Sequence, residues 1–367
     1  MMNPTEKYLM LMFAIKREGK LIDFDHIKEK TDRDLKINEE LTRKALDSLI
    51  DKGFILKKGD LYTISAKGRQ LFSESFKEWK EDLLKINKTW TTVYEALNYY
   101  DRVADVVLKY CKDRHVGFYC TFTQQHFFRR QFKGRYITLN NKEDLMNFVQ
   151  MFCIDVIPCV HRIGFDRPDW LVIDLDAGAK VGFDKVKEVA RVCYDVMEKL
   201  DLKPAMKFSG SRGIQLWSLL KEFEIPPEWN PLPMLRERRK RNYFSIFVDL
   251  VRLVQHEVDQ EIPGLTTSIV CKKEEREDKI LIDWSCLKPN GLVRSPYGIH
   301  HKTGLVSLPL KPDELDDFSP EDAEPGKVLE RFGEKGDEFE LKESDPSKAI
   351  KHLLESRNDI ARTGQSV

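Results

Sequence analysis

Two apolar runs tipped with carboxylates do most to restrict what this chain can fold into: Leu171-Val-Ile-Asp-Leu-Asp176 and Ile280-Leu-Ile-Asp283. Each reads as a strand. Side chains alternate along a strand, so Asp174 and Asp176 share one face while Leu175 points away, and Asp283 shares a face with Leu281. Three carboxylates can then meet across one sheet, an arrangement that holds divalent metal. Between the two runs lies Ser209-Gly-Ser-Arg-Gly-Ile-Gln-Leu-Trp217. Its small, Gly-bearing turn offers backbone amides, and Arg212 offers a guanidinium, to phosphate oxygens. Metal and phosphate grips belong to one chemistry.

The 367 residues suffice for two or three domains, and charged residues make up 33% of them, with 61 basic and 61 acidic side chains. The longest apolar runs fall far short of a membrane span, so the expectation is a soluble globular protein with no membrane partner. The first apolar stretch, Met10 to Ile15, follows Glu6 and precedes no small-residue cleavage site. That points to a cytoplasmic protein, and seven scattered cysteines suit a reducing compartment. Cys153-x5-Cys159-x-His161 lacks a paired second half, so no zinc is expected. Zero net charge hides local clusters. Arg129, Arg130, Lys133 and Arg135 interleave with Phe127, Phe128, Phe132 and Tyr136, a pattern that suits a nucleic-acid track as well as a solvated face. Arg236, Arg238, Arg239, Lys240 and Arg241 form a second cluster, and Asp313 to Glu324 is acidic.

Along the chain, residues 1–72 read as three helices and a hairpin. Tyr8, Met12 and Ile15 lie at helical spacing, and so do Leu41, Ala45 and Leu49 before Gly53 stops the helix. Gly59-Asp60 then suits a two-residue hairpin turn. Ala45-Leu-x-x-Leu-x-x-x-Gly-Phe-Ile and Tyr62-Thr-Ile-Ser-Ala-Lys-Gly68 resemble winged-helix domains, which implies that the helix from Glu39 to Lys52 can enter a major groove. Winged helices also serve as protein-protein modules, and Asp47 and Asp51 dilute the charge of Arg43, Lys44 and Lys52. Residues 73–114 form a helical connector, with Trp79, Leu83, Ile86, Trp90, Val93 and Leu97 as a core stripe. From residue 115 strands alternate with helices. Phe183 to Leu200 is amphipathic with Cys193 inward, Ala205–Phe208 and Gly213–Trp217 flank the Ser209 turn as a hairpin, and Phe244 to His256 is an apolar helix. The catalytic domain spans 115–345, and a last helix and tail occupy 346–367. The fold class is α+β: mixed sheets with flanking helices, preceded by the winged-helix domain.

The acid-tipped strands and one further segment resemble the archaeo-eukaryotic primase superfamily, the small catalytic primase subunits and the polymerase domains of end-joining ligases, over roughly His115 to Leu310. Asp174-Leu-Asp176 is similar to the first family motif and Asp283 to the third-motif carboxylate, and Val293-Arg-Ser-Pro-Tyr-Gly-Ile-His-His-Lys-Thr-Gly304 resembles a long primase stretch. Asp166-Arg-Pro-Asp-Trp-Leu-Val-Ile-Asp-Leu-Asp-Ala-Gly178 looks more like the end-joining branch. The resemblance implies a DNA primase or polymerase, a nucleotidyltransferase of replication or repair. Asp174, Asp176 and Asp283 would hold two Mg2+ or Mn2+ ions, and Ser209, Arg212, Gln215, Arg294, His300 and Lys302 would clamp the triphosphate of an NTP or dNTP. Arg129, Arg130, Lys133 and Arg135 would track template nucleic acid, with a ligase or primase-associated protein as candidate partner. Three positions depart from the family pattern: Ser211 stands where an Arg can stand, Gln215 replaces a His, and Gly298 replaces a Ser. Gln can donate a hydrogen bond but carries no charge. Two alternatives therefore stay open: a weakened primase-like binder of nucleotide or nucleic acid, and a winged-helix DNA-binding regulator.

Overall fold

A computed structural model describes residues 2–15, 21–122, 125–234, 239–267 and 273–363, so Arg236 and Arg238 of the second basic cluster lie outside the described residues. The architecture is mixed α+β. Two compact units divide the chain: residues 1–102, 120–127 and 143–154 form the first, and residues 103–119, 128–142 and 155–367 the second.

The first unit begins with α1 (Pro4–Ala14), β1 (Ile22–Asp23), α2 (Phe24–Leu35), α3 (Glu39–Asp51), β2 (Ile55–Lys58), β3 (Leu61–Ile64) and α4 (Ala66–Ile86), and it takes most of α5 (Lys88–Cys111). The three strands pair antiparallel in the order β1-β3-β2, and Lys58 pairs with Leu61, which leaves Gly59-Asp60 as the two-residue turn expected. Gly59 has φ +63°, a backbone that glycine adopts without strain. α1 is apolar all round. Every residue from Tyr8 to Phe13 is buried, so the helix is the centre of this unit and not an amphipathic element on its surface. α3 corrects one expectation: Thr42, Ala45, Leu46 and Leu49 are buried, whereas Leu41 is 51% exposed. A four-residue step overshoots one helical turn by about 40°, so a stripe read in fours from Leu49 back to Leu41 drifts off the buried face. Thr42 takes the place, and its hydroxyl meets that of Thr31 at 2.8 Å. α4 follows the hairpin directly from its N-cap Ser65, and Phe72, Trp79, Leu83 and Trp90 join the apolar cluster of α1 and α3.

The chain then runs through β4 (Val116–Phe122), β5 (Gln125–Arg129), β6 (Gln131–Phe132), β7 (Arg135–Tyr136), α6 (Lys142–Gln150), β8 (Cys153–Pro158), β9 (Trp170–Ala177), α7 (Phe183–Lys199), β10 (Ala205–Phe208), β11 (Ile214–Leu220), α8 (Tyr243–Glu261), β12 (Thr266–Thr267), α9 (Lys273–Arg276), β13 (Ile280–Asp283), β14 (Pro309–Leu310), α10 (Pro325–Lys335), β15 (Glu343–Ser344), α11 (Ser347–Glu355) and α12 (Arg357–Thr363). The second unit is organised by a sheet in the order β12-β13-β9-β11-β10-β14, with β15 added beside β11. β9 is central and antiparallel to both neighbours, β11 and β13. One face carries Leu171, Ile173, Leu175, Ile214, Ile282 and Phe208, all buried. Phe183 of α7 packs edge-on against Phe208, which puts α7 on that apolar face. α7 buries Val186, Val189, Ala190, Cys193, Val196 and Met197, the stripe expected of it. The opposite face carries the acids. Arg239 turns inward and donates to Asp249 and the carbonyls of Ser245 and Leu232, while the exposed Arg241 donates to the carbonyls of Trp229 and Pro226, so these two arginines brace a loop.

Glu6 ties the first unit together. Its buried carboxylate caps α1 through the Asn3 amide at 2.9 Å and accepts from Ser48 Oγ at 2.7 Å and Lys52 Nζ at 2.6 Å on α3. Burial works against its charge, but these donors outweigh burial and hold the pKa below the ordinary value. Glu6→Ala is expected to lower unfolding free energy by about 1–3 kcal/mol at pH 7. A depressed carboxylate pKa stabilises above the unfolded value of about 4.3, and the effect is lost as pH falls through the lower folded value. Urea unfolding at pH 7 and pH 3 should therefore show the mutational penalty shrinking at the acid end.

Candidate active site

Strand register builds a polar row across four strands. Asp174 on β9 lies opposite Asp283 on β13 and Gln215 on β11, and Gln215 lies opposite Lys207 on β10. Asp176, two residues along, shares the face and lies opposite Leu281. The three predicted acids thus come together on the face away from α7. Burial and then the charges of Asp283 and Asp176 push the Asp174 pKa up to about 6, against the hydrogen bond from Gln215 and the field of Lys207. Burial and like charge together oppose ionisation on this face. That is the condition a divalent cation relieves, and all-oxygen carboxylate donors are the set Mg2+ and Mn2+ prefer, so the residues fit such an ion.

Each acid has its own partner. Asp176 Oδ2 accepts from Arg276 Nη2 at 2.6 Å, with Arg212 at 3.7 Å from Oδ1. Asp283 accepts from the Ser285 amide at 2.7 Å and hydroxyl at 2.9 Å, and Asp174 Oδ2 accepts from Gln215 Nε2 at 2.9 Å. Among the described residues no three acidic, histidine or cysteine side chains converge into a ready cation cage. The guanidinium of Arg276 explains the divergence, because a buried cation already neutralises Asp176. Arg276 was not anticipated from sequence; it sits on a four-residue helix with no apolar pattern to mark it.

The Ser209 turn joins β10 to β11 beside this row. The Ser209 amide donates to the Gly213 carbonyl at 2.9 Å and the Gly213 amide to Ser209 Oγ at 3.2 Å. Both glycines are required. Gly210 has φ +88° and a Cβ there would lie 2.9 Å from His300 Cβ, while a Cβ on Gly213 would lie 2.4 Å from the Leu175 carbonyl oxygen. The turn is pinned from behind: Arg294 Nη1 donates to the Ser209 carbonyl at 2.9 Å and Thr303 Oγ1 to the Gly210 carbonyl at 2.5 Å. Arg294 also grips Asp155 through Nε at 2.7 Å and Nη2 at 2.9 Å, a two-pronged pair. Asp155 is wholly buried on β8 and accepts His301 Nδ1 at 2.7 Å. Burial alone would raise its pKa, but Arg294 and His301 hold it well below the usual carboxylate range. Asp155 was missed in the sequence, where its one signal is an acid inside the apolar run Cys153-Ile-Asp-Val-Ile-Pro158.

His300 faces the turn in one protonation state. Its Nδ1 accepts the amides of Lys302 at 3.2 Å and Thr303 at 3.3 Å, so the ring hydrogen sits on Nε2. Burial and then the Arg294 charge lower its pKa to about 3, which makes it a neutral donor at physiological pH. Lys302 is exposed, Ser211 and Arg212 are partly exposed, and Gly298 has a local cause, since a Cβ there would lie 3.0 Å from the Ser295 carbonyl oxygen. Of the basic residues, Lys133 and Arg135 lie on the β6–β7 hairpin, while Arg129 ends β5 and Arg130 precedes β6. β6 pairs with β7 around Lys133 and Gly134, Arg129 and Lys133 both sit over the Phe132 ring, and Arg130 sits 5.5 Å from the centre of Phe128. Phe128 and Tyr136 are 41% and 45% exposed.

The electrostatics of the row give a stability prediction. A carboxyl whose folded pKa exceeds the unfolded value, about 3.9, favours folding below that value and loses the advantage as pH rises through about 6. Asp174→Asn should therefore stabilise the metal-free protein by on the order of 1–3 kcal/mol more at pH 7.5 than at pH 4.5. Urea unfolding in chelator measures it, and an equal effect at both pH values would contradict the raised Asp174 pKa.

Comparison with known proteins bears on this geometry. A family model described as LigD, primase-polymerase domain, matches residues 119–339. The multifunctional non-homologous end joining DNA repair protein LigD of Mycobacterium tuberculosis H37Rv is 29% identical over 176 residues, 48% of this chain and 21% of that protein. The LigD of Mycolicibacterium smegmatis is 25% identical over 309 residues, 76% of this chain and 38% of that protein. The chain therefore matches only about a fifth to two fifths of the length of these curated relatives. The solved polymerase domain of Mycobacterium tuberculosis Ligase D in complex with DNA superposes with a TM-score of 0.56 at 24% identity, covering 68% of this chain and 92% of that one, which establishes a shared fold. The chain belongs to the LigD primase-polymerase domain family, nucleotidyltransferases of the DNA polymerase and primase type.

Proposed function

We infer that this protein is a metal-dependent nucleotidyltransferase that extends a nucleic-acid strand on a template and serves end-joining DNA repair. The observation that carries the inference is the row Asp283–Asp174 beside a glycine turn braced by Arg294 and Thr303. Mg2+ or Mn2+ held by Asp174, Asp176 and Asp283 would supply activation of a 3′-hydroxyl and neutralisation of pyrophosphate. The chain's own residues supply the positioning. On this reading Ser209, Arg212 and Lys302 would meet phosphate oxygens, and His300 would offer an uncharged Nε2–H. Arg294 acts mainly through the turn it holds, because Asp155 and the Ser209 carbonyl take all three of its nitrogens. The relatives' names, end-joining repair proteins, support the repair setting, and a ligase that seals the extended end is the partner class that fits.

Arg129, Arg130, Lys133 and Arg135 with exposed Phe128 and Tyr136 suit a template strand, as cations meet phosphates while rings accept bases. The DNA-bound state of the structural neighbour supports the same reading. The first unit has the helix order and hairpin of a winged helix, and its α3 favours a protein partner over a major groove. Arg43 is held by Glu39 at 2.8 Å and stacks on Phe24, Lys52 is held by Glu6, and Glu40, Asp47 and Asp51 remain against Lys44.

A primed DNA template with labelled nucleotides and Mn2+ or Mg2+ tests the main reading. Extension is expected, and Asp174→Ala with Asp176→Ala should reduce it by at least a hundredfold; absence of metal-dependent product on primed and unprimed templates alike would overturn it in favour of a binding-only protein. Lys133→Ala with Arg135→Ala should weaken DNA binding similarly for all sequences and reduce the slope of log affinity against log salt by about 1–2, read by fluorescence anisotropy across a salt series.

A further inference from the structure

Gln215 stands at the position where the resemblance implied a phosphate contact, yet both ends of its amide are engaged inside the sheet. It is 3% exposed. Its Nε2 donates to Asp174 Oδ2 at 2.9 Å, and its Oε1 accepts the indole N–H of Trp217 at 3.3 Å. An indole nitrogen only donates and a carboxylate only accepts, so these two neighbours fix which way the amide faces. Trp217 is itself held firmly. Fully buried, it packs against Trp170 at 4.8 Å and edge-on to Phe339 at 5.4 Å between ring centres. Lys207, the cross-strand partner of Gln215, lies with its ammonium 5.1 Å from the centre of the indole and donates to Ser307 Oγ at 2.6 Å. The polar row therefore continues from Asp174 into the protein interior as a hydrogen-bonded chain that ends on the Trp217 indole, with Lys207 packed over the ring.

We propose that Gln215 is a positioning residue for Asp174, locked by Trp217 under Lys207, and that it sets divalent-metal affinity rather than nucleotide affinity. The proposal rests on the metal-site reading above. By occupying Oδ2, the amide fixes the carboxylate plane, so that on this reading Oδ1 would be the oxygen left for a cation. Outer partners of metal ligands act in this way, and their removal typically costs metal affinity by about ten- to a hundredfold.

Two volume-preserving variants test the assignment: Gln215→Met, which removes both hydrogen bonds, and Trp217→Phe, which keeps a ring but removes the N–H. Mn2+ binding to the full-length protein, followed by electron paramagnetic resonance of free Mn2+, should weaken by about tenfold or more in Gln215→Met and by about threefold in Trp217→Phe. Binding of dATP and ATP at saturating Mn2+ should change less than threefold in both, and unfolding midpoints in chelator report whether each variant is folded. Wild-type binding of Mn2+ with unchanged Mn2+ affinity and weakened nucleotide binding in Gln215→Met overturns this proposal alone. Failure of the wild type to bind Mn2+ overturns the metal-site reading and this proposal together.

Discussion

Two carboxylates placed opposite each other on adjacent strands repel, and much of the second unit is arranged around that repulsion. The register that sets Asp283 beside Asp174 also sets Gln215 on the other flank, so Asp174 meets a like charge on one side and a neutral donor on the other. The apolar face behind, covered by α7, leaves little solvent to dissipate the charge. The balance is struck by buried cations at the margins: Arg276 on Asp176, Lys207 beyond Gln215, and Arg294 on Asp155. Burial and then Arg294 push the Lys207 ammonium well below its ordinary pKa, while Asp174 and Asp155 pull the other way. The site is thus a set of opposing charges fixed by strand register.

The Ser209 turn depends on the same sheet by a different route. β10 and β11 hold the Ser209 turn as a hairpin tip, but hydrogen bonds within a tip do not determine where it points. Arg294 and Thr303 do so from a segment roughly ninety residues away in sequence, with Asp155 as the anchor. A neutral carboxamide in place of Asp155 would leave the Arg294 guanidinium buried without its counter-charge, which is the costly way to break such a pair.

The strands, their acid tips, the hairpin about the glycine turn and the long amphipathic α7 were legible because each is a local pattern of period two or near four. That Asp174 and Asp176 share a face was legible too, since alternation decides faces before pairing is known. What was not legible is pairing between strands distant in sequence. Lys207, Trp217 and Asp155 looked like ordinary strand residues, and only register and the fold of residues 294–304 reveal what they touch. Arg294 was found as a candidate but its partners were not. Leu41 shows the opposite limit, where a local pattern was present and misleading because steps of four drift around a helix. α1 was read as a helix from Tyr8, Met12 and Ile15, but its burial on every side was not, since such a helix has no stripe that marks its inward face.

The central claim is that a row of carboxylates fixed by strand register is the cation site of a nucleotidyltransferase. Anomalous diffraction at the manganese edge, from crystals grown with Mn2+ and a non-hydrolysable dNTP, tests it most directly. The account predicts manganese peaks within bonding distance of Asp174, Asp176 and Asp283, with Asp176 released from Arg276. Manganese absent from that face, with the Asp176–Arg276 pair intact and the nucleotide bound elsewhere, would contradict it.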